Sequence, residues 1–202
     1  MKQEFRPSRL EERDVYKLLS GLIVPRPIGW IGTRRPDGTN NLAPYSFFNM
    51  VSSRPPAVMF ASGRRAGELK DSAAYAEASG EFSVNIVSED VAEAMNATSH
   101  SYPAGVDEFE MCGLTTWYGD VTSAPMVDEA PANLECRVVD ALDLGGDTGT
   151  RVVFGEVVAI HVRIDVLDGT RVDHDALAAV GRLAGNDYVT TRDRFGLVRP
   201  TQ

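Results

Sequence analysis

Cysteine is almost missing from this chain of 202 residues: Cys112 and Cys136 stand alone, and no C-x-x-C occurs. That excludes a disulfide-stapled scaffold and a cysteine-based zinc site, and a chain of this length buries enough surface to need neither. Basic charge is also short. Lys and Arg number 20 against 29 Asp and Glu, a net charge of −9. Bulk nucleic-acid binding, which needs a basic face, is excluded, though a local positive pocket for a small anion is not. No apolar run is long enough to cross a bilayer, and Met1-Lys2-Gln3-Glu4-Phe5-Arg6-Pro7 lacks the apolar core of a secretory signal. No membrane association is expected, and two thiols without a signal point to the reducing cytoplasm. The dinucleotide and P-loop fingerprints, H-E-x-x-H and G-x-S-x-G are absent too. The three histidines, His100, His161 and His174, stand far apart, so no metal site and no catalytic side chain is assigned. Asp173-His174-Asp175 reads as a solvated helix start, where the dipole favours acids.

What is present is mostly strand. No repeat, low-complexity tract or linker divides the chain. One domain over 1–202 is expected, with a helical extension over 1–24 and a tail over 189–202. Ser8 and Glu11 have the spacing of a capping box. Leu10, Val15, Leu18 and Leu19 recur at near-helical spacing, and Gly21 is placed to end the helix. Strands are expected over 28–33, from 41 onward, over 46–51, 57–61 and 81–87, and along two alternating runs after 134. Pro36-Asp37-Gly38 and Gly145-Gly146-Asp147-Thr148-Gly149 make turns. Leu134, Cys136 and Val138 oppose Glu135 and Arg137, while Val158, Ile160, Val162 and Ile164 oppose Ala159, His161, Arg163 and Asp165. Each run reads as one buried face and one wet or partner-covered face, with Gly155 a bulge or corner bend. Alanine-rich segments over 68–78 and 89–97 read as inserted helices. Six to eight strands joined by hairpins exclude a doubly wound sheet. They predict an all-β dominated antiparallel barrel, closed or nearly so.

Two segments carry chemistry. In Asn40-Asn41-Leu42-Ala43-Pro44-Tyr45-Ser46-Phe47-Phe48, Pro44 is expected to interrupt the ladder and leave backbone N–H and C=O groups free beside aromatics. Such groups suit a flat heteroaromatic ring with polar edges; a hairpin return with core aromatics is the other reading. About 20 residues on, Ser62-Gly63-Arg64-Arg65 ends a strand and Lys70-Asp71-Ser72 opens a helix. Helix-start N–H groups, hydroxyls and a cation make an anion site fit for a phosphate monoester, or else a solvated helix start capped by Ser72. Together they point to a phosphorylated aromatic cofactor.

At these residues the chain resembles the flavin reductase-like, FMN-binding split-barrel family. The resemblance is carried by Pro25-Arg26-Pro27-Ile28-Gly29-Trp30-Ile31, by the Asn41 to Phe48 segment and by Lys70-Asp71-Ser72. It continues through Gly80-Glu81-Phe82-Ser83-Val84-Asn85, Glu93 to Thr98, Gly105-Val106-Asp107-Glu108-Phe109-Glu110 and Leu134-Glu135-Cys136-Arg137. It ends with Gly155-Glu156-Val157-Val158 and Arg182-Leu183-Ala184-Gly185-Asn186-Asp187-Tyr188. It implies a six-stranded antiparallel Greek-key split barrel, a homodimer, and one FMN per subunit near the interface. Asn41, Ala43, Pro44, Tyr45 and Ser46 would line the ring. Ser62, Lys70, Asp71 and Ser72 would form the phosphate corner, helped by Arg64 or Arg65. Ser72 stands where the family often has Thr and keeps the hydroxyl. Asn85, Arg182 and Tyr188 would approach the flavin or the partner chain, and the His100–Gly105 loop would come from the neighbouring subunit.

The activity so implied is hydride transfer from NADH or NADPH to the flavin, which needs position and hydrogen-bond donors rather than a general base. A separate oxygenase component is the expected acceptor. The alternative is an FMN-binding electron carrier of flavoredoxin type without rapid NAD(P)H turnover. A pyridoxamine-phosphate oxidase-like enzyme shares the same ring-and-phosphate logic.

Overall fold

The computed structural model describes residues 1–103 and 105–200; Ala104 of the expected 100–105 loop, and Thr201 and Gln202 of the expected tail, lie outside the described residues. In chain order, helix α1 (Glu12–Leu22) is followed by strands β1 (Gly29–Arg34), β2 (Asn40–Tyr45), β3 (Phe48–Ser53) and β4 (Pro56–Arg65). Then come α2 (Asp71–Ser79), β5 (Glu81–Ile86), α3 (Ala92–Ala97), α4 (Glu108–Met111), the long hairpin β6 (Ala132–Leu144) and β7 (Thr150–Val162), and α5 (His174–Leu177).

The strands form one antiparallel sheet in the order β2-β1-β5-β6-β7-β4-β3. Its register sets Asn41 opposite Thr33, Trp30 opposite Asn85, and Asn133 opposite Asn85 on the far side. β2 and β3 occupy opposite ends of this path, yet only Ser46 and Phe47 separate them in the chain. A link that short reaches about 10 Å at most. The sheet must therefore curl until its ends nearly meet. The Tyr45 ring of β2 lies 5.1 Å from the Phe60 ring of β4, and Ala61 N–H donates to Phe47 O at 2.8 Å. This is the split barrel expected from the sequence, with seven long strands on the path rather than six.

One core fills the barrel: Ile31, Phe48, Phe60, Phe82, Val84 and Val153, plugged by Ala73 and Ala76 of α2. A second lies outside β1 and β2 under α3 and α4, with Trp30, Leu42, Met95 and Phe109 at its centre. β1 is thus covered on both faces, and Trp30 Nε1 donates to Thr98 Oγ1 at 2.9 Å, pinning the end of α3.

Several local expectations are corrected. Pro7 starts a separate 3₁₀ turn over Pro7–Arg9, and Leu10 is extended. Ser8 therefore cannot reach the start of α1, which begins after Glu11 without a side-chain cap. Gly21 does not end the helix; the ladder runs to Ile23 N–H on Leu19 O, and Pro25 enforces the stop by excluding helical geometry before it. The second helix begins at Asp71 because Glu68 and Leu69 pair with Arg65 and Arg64. Glu89–Val91 is 3₁₀ before α3. Pro44 does not break the ladder: it pairs opposite Trp30 on an edge strand, where a missing N–H can face outward at no loss.

Glu135, expected on a wet face, is completely buried. Gly155 pairs with Val138 next to a register shift that leaves Val139 unpaired. It is a point of close approach, since a Cβ there would lie 2.4 Å from the Phe82 ring. The 158–164 apolar face is only partly covered in this chain: Val158 and Val162 are half-buried, while Ile160 keeps 65% of its surface and Ile164 89%. The 173–175 stretch is the exposed helix start that its sequence predicts, and Asp173 caps α5 there, accepting from Asp175 N–H at 2.8 Å and Ala176 N–H at 3.2 Å. Among the described residues, no helix is long and apolar enough to cross a membrane.

Candidate functional site

Where the edge of β2, the start of α2, the end of α3 and the start of α4 converge lies a cleft of about 350 Å³, within the range of small-molecule sites. Asn41, Ala43, Pro44 and Tyr45 form one wall, and Lys70, Asp71 and Ser72 another. Asn41 ties the two together. Its side-chain amide donates at 3.0 Å both to Thr33 Oγ1 on β1 and to Ser72 Oγ in the first turn of α2.

The helix start supplies the electropositive end. Lys70 is the N-terminal flanking residue, and its carbonyl accepts from Ala73 and Ala74 N–H at 3.1 Å. The N–H groups of Asp71 and Ser72 then have no carbonyl behind them within the helix, and the dipole adds partial positive charge. Lys70 is exposed and has no ion-pair partner among the described residues. Arg65 lines the same end and donates to Ser101 Oγ at 2.8 Å, tying the 99–102 loop to the end of β4.

The other wall is set by the β2 edge. Leu42 N–H points away from β1 and is taken by Glu108 Oε2 at 3.1 Å. Pro44, of the same parity, has no N–H. Leu42 is wholly buried, so the outward edge offers the cleft a carbonyl at Pro44 and no free donor between the two, a narrower offering than expected from the sequence. Glu108 is 7% exposed. Burial pushes its carboxyl up, opposed by the Leu42 N–H and the Arg35 charge. Asp107 caps α4 through Phe109 N–H at 2.9 Å and accepts from Asn40 Nδ2 at 3.2 Å, clamping α4 onto the edge strand. Burial likewise pushes the Tyr45 phenol up, against the Ser72 and Ser62 hydroxyls beside it.

The structure brings together Asn41, Ala43, Pro44, Tyr45, Lys70, Asp71 and Ser72. The other candidates lie elsewhere. Ser46 accepts from Arg26 Nε at 3.4 Å. Ser62 is buried behind Tyr45 and donates to Gly63 O at 3.2 Å. Arg64 pairs with Asp143 at 2.6 Å while Arg65 faces the cleft, because neighbours on a strand point to opposite faces. Asn85 is wholly buried and its amide is used internally: Trp30 O at 2.8 Å, Val127 N–H at 2.9 Å and Asn133 Nδ2 at 2.7 Å. Arg182 stacks on Tyr188 at 4.4 Å, and Tyr188 donates to Asn96 Oδ1 on α3 at 3.1 Å.

Glu108, Thr98 and Ser99, given no role from the sequence, complete the cleft, and His100, Ser101 and Tyr102, expected from the neighbouring subunit, line it from this same chain. Glu108 follows Asp107, a capping residue just before an apolar pair, which marks a helix start but gives no hint that it folds onto β2.

A family model described as a flavin reductase like domain matches residues 20–178. An uncharacterized protein of Deinococcus radiodurans is 45% identical over 195 residues, spanning 92% of this chain and 85% of that one. The structure of nitrilotriacetate monooxygenase component B from Bacillus cereus superposes with a TM-score of 0.95 at 36% identity, covering 98% of this chain and 99% of the other. That of 2-nitrobenzoate 2-nitroreductase from Pseudomonas fluorescens gives 0.90 at 30%, covering 98% and 97%.

Proposed function

Since the chain belongs to the flavin reductase-like domain family, we propose that it binds FMN in this cleft and is an oxidoreductase using NADH or NADPH. One observation carries the reading: a single cleft joins an aromatic edge strand at Tyr45 to the cationic start of α2 at Lys70. The residues fit the group. Lys70, Arg65 and the first N–H groups of α2 suit the phosphate. The carbonyl at Pro44 suits a ring N–H, and Ser99, Ser101 and Tyr102 add hydroxyls. When bound, the flavin supplies the two-electron chemistry, accepting hydride from the nicotinamide. The chain's own part is to orient. The Asn41 amide fixes the distance between the two walls, Glu108 holds the edge strand in place, and α4 covers the strand edge from water.

The test is direct. Purified protein supplied with FMN is expected to oxidise NADH or NADPH well above the flavin-only background. Protein that neither carries nor takes up FMN overturns the reading. Stable bound FMN that NAD(P)H does not bleach favours the electron carrier.

The same proposal includes one domain over the whole chain, a cytoplasmic location, a homodimer and a separate oxygenase component as acceptor. Support for the dimer comes from apolar side chains left in water: Leu22, Met50, Ile160 and Ile164 are between 63% and 89% exposed. Support for the oxygenase comes from the component B likeness. Ile160→Asp is expected to halve the molecular mass seen by light scattering while keeping the circular dichroism; an unchanged mass would count against this surface.

A further inference from the structure

Arg35 follows β1 and keeps only 4% of its side chain exposed. A buried guanidinium persists only where other groups answer its charge. One N–H of Arg35 donates to Val106 O at 2.7 Å, and the Tyr75 ring lies 5.6 Å from its guanidinium carbon. Its Nε has no hydrogen-bond partner. Two carboxylates stand near, Asp71 at 3.5 Å and Glu108 at 3.7 Å. These are ion-pair separations rather than hydrogen bonds, so Arg35 acts on both acids chiefly through charge. Both acids line the cleft, and Arg35 sits behind them.

The charges explain why that matters. Histidine aside, the lining holds Arg65 and Lys70 against Glu68, Asp71 and Glu108, two cations against three acids. Alone, that lining is one charge negative, in a chain whose net charge is already −9. It would repel the very anion the helix start is built to take. Arg35 brings the balance to three against three.

We propose that Arg35 is a positioning and specificity residue: from behind the wall it offsets Asp71 and Glu108 and so sets the preference of the cleft for a phosphorylated ligand over its unphosphorylated counterpart. The inference rests on the flavin reading, with FMN and riboflavin as the matched pair of probes.

The experiment is fluorescence titration of both flavins against wild type, Arg35→Met, Arg35→Lys and the double variant Arg35→Met/Glu108→Gln. A unit charge acting over roughly 10 Å at an effective dielectric near 20 changes an affinity on the order of tenfold. FMN binding by Arg35→Met should weaken by about that factor, with riboflavin within about twofold. Arg35→Lys, which keeps the charge, should hold the wild-type ratio, and the double variant should recover most of it. Should Arg35→Met fail to fold, Asp71→Asn in the otherwise intact chain reads the same balance from the other side: FMN tightens several-fold, by roughly the same Coulomb term, and riboflavin does not. The proposal is overturned if Arg35→Met weakens both flavins equally, if it leaves their ratio unchanged, or if Asp71→Asn does not move that ratio. Wild-type protein that binds neither flavin defeats the functional reading and this inference together; wild type that binds FMN with an immovable ratio defeats the inference alone.

Discussion

Replacing Lys70 with alanine should weaken FMN by roughly 10–100-fold while leaving riboflavin nearly untouched, the span expected for losing one charge-assisted contact. The reason lies in what remains. Lys70 precedes the helix and its side chain is exposed, so its removal opens no cavity and breaks no buried hydrogen bond. The α2 N–H groups, Ser72 and the β2 edge stay in place, and the β2 edge is what a ring without a phosphate would use. Isothermal titration with both ligands checks this. Equal losses would remove Lys70 from the phosphate corner, and no loss for either would move that corner elsewhere. Thermal denaturation should show no change in stability, which separates the effect from damage to the fold.

Substituting Glu135 should instead damage the fold. Its carboxylate lies wholly within the protein. It accepts from Val121 N–H at 3.2 Å, from Thr122 N–H and from Thr122 Oγ1 at 2.9 Å, and meets His161 Nε2 at 2.8 Å. There is no room at Gly119 for anything but hydrogen, since a Cβ would lie 2.0 Å from Glu135 Oε1. Glu135→Ala orphans these donors, at a cost of about 3–5 kcal/mol for a broken buried pair. In a chain of this size that lowers Tm by roughly 10 °C.

The pH dependence has a definite sign. Burial alone would raise the carboxyl, but His161, the Thr122 amide and hydroxyl and the Val121 amide outweigh it and hold the group below its ordinary value of 4.5. A depressed folded-state value means stability that is present above pH 4.5 and lost as pH falls through the folded value. The gap in Tm between wild type and Glu135→Gln should therefore be full near neutrality and shrink in acid. A gap independent of pH would show that Glu135 is not charged in the folded chain.

Local patterning made most of the strands legible, together with the Pro36-Asp37-Gly38 turn and the helix start at 173–175. The wall residues at 41–45 and 70–72 were legible because each segment pairs a backbone peculiarity with the right side chains. What alternation cannot convey is which face is covered, and by what. Glu135 reads as a wet position until the 117–122 segment folds over it, and Arg64 and Arg65 read alike until the strand sends one to Asp143 and the other to the cleft. Asn85 sits within a recognisable motif, yet its amide is consumed by three partners in the protein interior. Arg35 and Glu108 escaped notice because their meeting depends on contacts across 73 positions of chain, a separation no local pattern records.

The two walls of the cleft come from distant parts of the sheet path: Tyr45 from the strand at one end, Arg65 from the strand next to the other end. Nothing short of the fully curled chain can present both. An occupant of the cleft thus binds the native state and no partly folded half, and by mass action it stabilises the whole molecule in proportion to the logarithm of its free concentration. Cofactor supply would then govern how much of this protein survives quality control in the cell, as well as how fast it works.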